Sequence, residues 1–79
     1  MKTLKEIKRY LKEQETKTLT SKRGNTYEVI ELDKEIIKQV KSFKTLTTSY
    51  HYVNGKKLIN IAWVENGKIT NVYAIEKEE

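Results

Sequence analysis

Seventy-nine residues with a formal charge of +5, 34% charged and 37% hydrophobic, fit one small domain, residues 1–79, whose core is marginal. The chain has no Cys and no Pro, which excludes thiol catalysis and a disulfide framework and leaves stability to packing and short turns. No apolar stretch approaches membrane-spanning length, and the chain opens on Lys2 and a charged helical pattern rather than an apolar signal region, so a cytoplasmic protein without a membrane partner is expected.

Thr3-Leu4-Lys5-Glu6 has the form of a capping box and predicts a helix that fades between Glu13 and Thr16. Leu4, Ile7, Tyr10 and Leu11 share one side of it, while Lys5, Arg9 and Lys12 lie nearly opposite with Lys8 at their margin. Residues 17–31 read as a hairpin. The preferred Gly24-Asn25 two-residue loop pairs Leu19 with Ile30 and Thr20 with Val29, and a longer loop is the alternative. Tyr10 and Tyr27 are expected to seal the first helix against this hairpin. Asp33 suits the N-cap of a second helix. Its apolar side is Ile36, Ile37, Val40 and Phe43, and Lys34, Lys38 and Lys41 lie roughly opposite.

Two Asn-Gly dipeptides, Asn54-Gly55 and Asn66-Gly67, then punctuate β-favouring runs and predict a three-stranded antiparallel meander. Type I′ turns at both pair Val53 with Lys56, Tyr50 with Ile59, Thr48 with Ile61 and Leu46 with Trp63. Across the second turn they pair Glu65 with Lys68, Trp63 with Thr70, Ile61 with Val72, Ile59 with Ala74 and Lys57 with Glu76. One face then carries Leu46, Ile59, Ile61, Trp63, Val72 and Ala74 and is assigned to the core. The other mixes Thr45, Thr47, Ser49, His51, Asn60, Asn71 and Tyr73 with Leu58, Ala62, Val64, Ile69 and Ile75. This second face is either partly covered by the first hairpin or a binding surface. The expected fold is α+β: helix, β-hairpin, helix and three-stranded antiparallel meander, with the helices packed on one sheet face.

Little catalytic chemistry is available. His51 is the sole histidine and Asp33 the sole aspartate, and there is no Gly-x-Ser-x-Gly elbow, Walker loop or Gly-x-Gly-x-x-Gly. Gly24, Gly55 and Gly67 are explained by turns. No metal or cofactor is implied, and no enzyme is expected.

Charge is the more directional signal. Residues 1–44 hold twelve Lys/Arg against seven Asp/Glu, and residues 45–79 hold four against four, so the whole excess lies in the N-terminal half. The leading expectation is therefore a non-enzymatic module that binds DNA or RNA through phosphates. Lys5, Lys8, Arg9 and Lys12 would serve from the first helix, Lys22 and Arg23 from the hairpin tip, and Lys34, Lys38 and Lys41 from the second helix. The alternative is a small protein-binding regulator or inhibitor that docks an acidic or nucleic-acid-like protein surface, a form shared by compact basic proteins of phages and other mobile elements. It would use Tyr52, Asn60, Asn71 and Tyr73, or add a strand to its target's sheet. A third expectation is a homodimer through an edge strand or the mixed face.

Overall fold

Helix α1 (Leu4–Glu13) starts at a complete capping box. The Thr3 hydroxyl accepts from the Glu6 amide at 3.2 Å, and the Glu6 carboxylate accepts from the Thr3 amide at 3.1 Å. Asp33 caps α2 (Lys34–Ser42), its carboxylate accepting from the Ile36 amide at 3.1 Å. The computed structural model describes residues 2–78 and adds five strands: β1 (Lys17–Thr20), β2 (Thr26–Leu32), β3 (Thr47–Val53), β4 (Lys56–Glu65) and β5 (Lys68–Glu76).

All five strands belong to one curled, mixed sheet in the order β1-β2-β5-β4-β3, a half-barrel with about 48% of the described residues in strands. This corrects the expected fold class of helix, β-hairpin, helix and three-stranded antiparallel meander, because the hairpin strands and the meander form one mixed sheet. The join is the parallel pairing of β2 with β5, from Val29 opposite Tyr73 to Leu32 opposite Glu76. No turn links these two strands, so no local signal indexes them against each other. Burial supplies the driving force, because Val29, Ile30 and Leu32 are all buried, on both sides of β2.

The meander follows its turns. Asn54 and Asn66 have φ 52°, Gly55 φ 79° and Gly67 φ 77°, the all-positive signature of type I′ loops. Tyr50 faces Ile59, Thr48 faces Ile61, Trp63 faces Thr70 and Ile61 faces Val72. Leu46 precedes β3, and the β4–β5 ladder stops at Ile59 opposite Ala74, so neither Leu46–Trp63 nor Lys57–Glu76 is a ladder pair.

The first hairpin differs more. Leu19 pairs with Tyr27 and Thr20 with Thr26, rather than with Ile30 and Val29. The tip is a three-residue loop, Lys22-Arg23-Gly24, in which the Gly24 amide donates to the Ser21 carbonyl at 2.9 Å and Gly24 takes φ 88°. That is a type I turn closed by a left-handed residue, and it shifts the register from the two-residue alternative.

A Cβ built on Gly67 meets nothing within 4 Å, so a substitution there is opposed by backbone strain alone. Gly67→Val should lower stability by about 2 kcal/mol or more, and Gly67→Asn by much less, because asparagine tolerates the left-handed region. Urea midpoints check this. Equal midpoints for Val and Asn variants would contradict the turn assignment.

Two clusters hold the sheet. Both helices pack on one face, where Ile7, Leu11, Ile36, Ile37 and Val40 meet Ile30, Leu32, Ile59, Ile61, Trp63 and Ala74. On the opposite face, Val29, Val53 and Leu58 are buried together beneath Leu19, Tyr27, Tyr73 and Ile75. Tyr10 joins the first cluster and Tyr27 the second, so the two do not form the seal expected of them.

The second cluster exists because the sheet curls. β1 and β3 are opposite margins of the sheet, yet the Asn54 side chain donates to the Thr20 carbonyl at 2.7 Å. Strand twist accumulated across the sheet brings the β1–β2 hairpin towards the β3–β4 turn. One half of the face away from the helices is thereby closed, and the other half stays open.

Candidate binding surface

The open half is set by alternation. Side chains of β3, β4 and β5 that point away from the helices fall into rows: Thr47, Ala62 and Asn71, then Ser49, Asn60 and Tyr73. Val64 and Ile69 form a further cross-strand pair, and His51 stands beside Leu58. Val64 is 66% exposed and Ile69 80%. Asn71 Nδ2 donates to Asn60 Oδ1 at 3.3 Å, which orients both amides across the strands. Tyr73 is half-buried and meets Tyr27 edge-on, with ring centroids 5.5 Å apart. Thr47, Ser49, His51, Asn60, Ala62, Val64, Ile69, Asn71 and Tyr73 include no Asp, Glu, Lys or Arg, in a chain that is 34% charged.

Of the residues expected to touch a partner, Asn60, Asn71 and Tyr73 are brought together here. Tyr52 is not. It lies on the helix side of β3 by alternation and is 73% exposed. Ala62, Val64 and Ile69 belong to the surface although none was singled out from the sequence. Their signal is that one parity of three consecutive strands carries a single charge, Lys56 beside the first turn.

The basic residues divide. Both helices lie against the other sheet face, where Lys5, Arg9, Lys34 and Lys38 are exposed and Lys8 is half-buried. Lys12 is engaged: its ammonium donates to Glu65 Oε1 at 3.2 Å and Oε2 at 3.1 Å, tying α1 to the end of β4. Lys41 lies 5.0 Å from the centre of the Tyr50 ring. Lys22 and Arg23 line a hollow with Tyr52, Asn54 and Gly55 and with no helix residue. The hairpin tip therefore does not extend a helix stripe in that hollow.

The Lys12 ammonium holds the Glu65 carboxyl below the usual carboxylate range. The buried Trp63 indole N–H has no hydrogen-bond partner among the described residues. A depressed carboxyl contributes stability above its unfolded-state pKa and loses it as pH falls through the folded value. Lys12→Met should therefore raise the Glu65 carboxyl towards its ordinary value and make acid unfolding less dependent on this pair. A carboxyl-carbon NMR titration reads this directly; an unmoved Glu65 midpoint would contradict the pairing.

Among the described residues, no group of three or more His, Cys, Asp or Glu is placed to hold a metal ion, and no helix is long and apolar enough to cross a membrane. In comparisons with protein-family models, curated proteins and solved structures, nothing matches the chain.

Proposed function

We propose that this chain is a non-enzymatic protein-binding module, a regulator or inhibitor that acts by occupying its target through the open half of the sheet. The supporting observation is the uncharged set of side chains around Asn60, Asn71 and Tyr73, with Val64 and Ile69 exposed beside them. Isolated exposed apolar residues are ordinary, but this set is contiguous and lacks charge. The cores of protein interfaces are likewise depleted in charge. The cationic helices on the opposite side favour solubility and approach to an acidic target.

The test is capture on the immobilised chain from cells that express it, with and without nuclease. A protein retained in one-to-one ratio after nuclease treatment is expected. Loss of all captured material on nuclease treatment would remove this reading.

A second reading, phosphate-backbone binding to DNA or RNA, draws support from the packing of α1 and α2 on the same sheet face, so that their exposed lysines belong to one layer. Under it, Lys5→Glu with Arg9→Glu should weaken binding to all sequences alike. The slope of log affinity against log salt should become shallower by about 0.9 for each duplex phosphate that the variant no longer neutralises. An unchanged slope would exclude α1 from phosphate binding.

A further inference from the structure

Three strands about 4.8 Å apart, with same-face residues about 6.8 Å apart, give the uncharged set an area on the order of 300 Å². A stable interface needs roughly 800 Å² per partner, so contact must extend past its border. One adjoining border is the outer edge of β3.

That edge is unpaired. Among the described residues, β3 pairs only with β4, and none of the side-chain or turn hydrogen bonds engages the backbone of Thr47–Val53. The pair flanking a two-residue turn, Val53 and Lys56, is mutually hydrogen-bonded, and bonding alternates from there. Thr48, Tyr50 and Tyr52 therefore direct their N–H and C=O groups outwards. The strand's own residues supply none of the usual protection. Its seven residues, Thr-Thr-Ser-Tyr-His-Tyr-Val, include no Lys, Arg, Asp, Glu or Pro, and its register runs one-for-one without a bulge. The other margin, β1, is only four residues long and carries the Lys17–Glu31 ion pair.

Charge selects the occupant. At the middle of β3, the Tyr50 ring has the Lys57 ammonium 4.3 Å and the Lys41 ammonium 5.0 Å from its centre. Neither lysine is ion-paired among the described residues. Lys41 also holds the Tyr50 hydroxyl below its usual pKa, with Lys57 adding to the effect. On the opposite side of the same edge stand Thr47, Ser49 and His51. A second copy of this chain paired through β3 would bring both pairs of lysines together around Tyr50, a like-charge contact that opposes self-association.

We propose that the outer edge of β3 receives, as a sixth strand, an extended segment of the partner protein whose side chains alternate between acidic and uncharged. This rests on the partner being a protein. Main-chain hydrogen bonds to Thr48, Tyr50 and Tyr52 hold the segment. Its acidic side chains fall beside Lys41 and Lys57, and its uncharged ones continue the open sheet face.

The test uses the full chain, labelled with nitrogen-15, and two short synthetic peptides, one alternating glutamate with valine and the other lysine with valine. At about ten times its dissociation constant, the glutamate peptide should slow amide exchange at Thr48, Tyr50 and Tyr52 about tenfold. The lysine peptide should not. Lys41→Glu with Lys57→Glu should reverse the preference. Thr48→Pro removes an outward N–H and spares the ladder to β4, so it should fold and bind neither peptide. Absence of binding, equal binding of both peptides, or undiminished binding by folded Thr48→Pro would overturn the proposal. So would a dimer that Thr48→Pro dissolves, which would give the edge to a second copy. If the peptides fail while a nuclease-resistant protein partner is still captured, only the edge assignment falls. If nuclease removes the partner, the underlying reading falls with it.

Discussion

Trp63→Ala should remove about 3–5 kcal/mol of stability, comparable with the whole margin of many small domains. Trp63 is 3% exposed and belongs to the cluster where both helices meet the sheet. Removing the indole deletes the largest side chain there, and a sheet held by ladders on both sides of β4 collapses only partly onto the void. At roughly 4–8 °C per kcal/mol for a domain of this size, the melting temperature should fall by more than about 12 °C. Trp63→Phe keeps an aromatic ring and deletes an indole N–H that has no acceptor in hydrogen-bond geometry, so it should cost much less. An unchanged melting temperature for the alanine variant would show that Trp63 does not anchor this core.

Leu58→Ala should cost about 2–5 kcal/mol even though Leu58 lies on the sheet face away from both helices. Leu58 is fully buried with Val29 and Val53, beneath Leu19, Tyr27, Tyr73 and Ile75. On a flat three-stranded meander the same side chain would face solvent, and its truncation would change stability by no more than about 0.5 kcal/mol. The variant thus measures the curl itself. Urea unfolding supplies the magnitude. Amide shifts at Thr20 and Asn54 report whether the two margins of the sheet separate. A near-neutral Leu58→Ala with unmoved Thr20 and Asn54 signals would contradict the half-barrel.

Legibility in the sequence tracked distance along the chain. The caps at Thr3 and Asp33 and the turns at Asn54-Gly55 and Asn66-Gly67 are local, and each couples residue type to backbone angle or to a nearby amide. Knowing those turns, alternation assigns faces across β3, β4 and β5, including the position of Trp63. The parallel join of β2 to β5 was not legible, because it depends on Val29–Leu32 aligning with Tyr73–Glu76 across α2 and two intervening strands. The hairpin register was missed where three loop residues compete with two, a choice decided by the left-handed Gly24. For the binding surface, Asn60, Asn71 and Tyr73 were legible as neighbours. Which half of their face stays uncovered depends on the curl, and so did not follow from alternation.

The open half of the sheet is proposed to bind a protein. The most direct test is the affinity of the captured partner for Ala62→Arg, measured beside Lys5→Glu with Arg9→Glu. Ala62 is half-buried in the middle of the uncharged set, so arginine adds a charge there without vacating a core position. If the account is right, Ala62→Arg keeps a wild-type melting temperature and weakens binding by roughly a hundredfold, the scale of about 3 kcal/mol at an interface centre, while the helix variant binds within a few-fold of wild type. Undiminished binding by Ala62→Arg, together with abolished binding by the helix variant, would place the interface on the cationic layer instead.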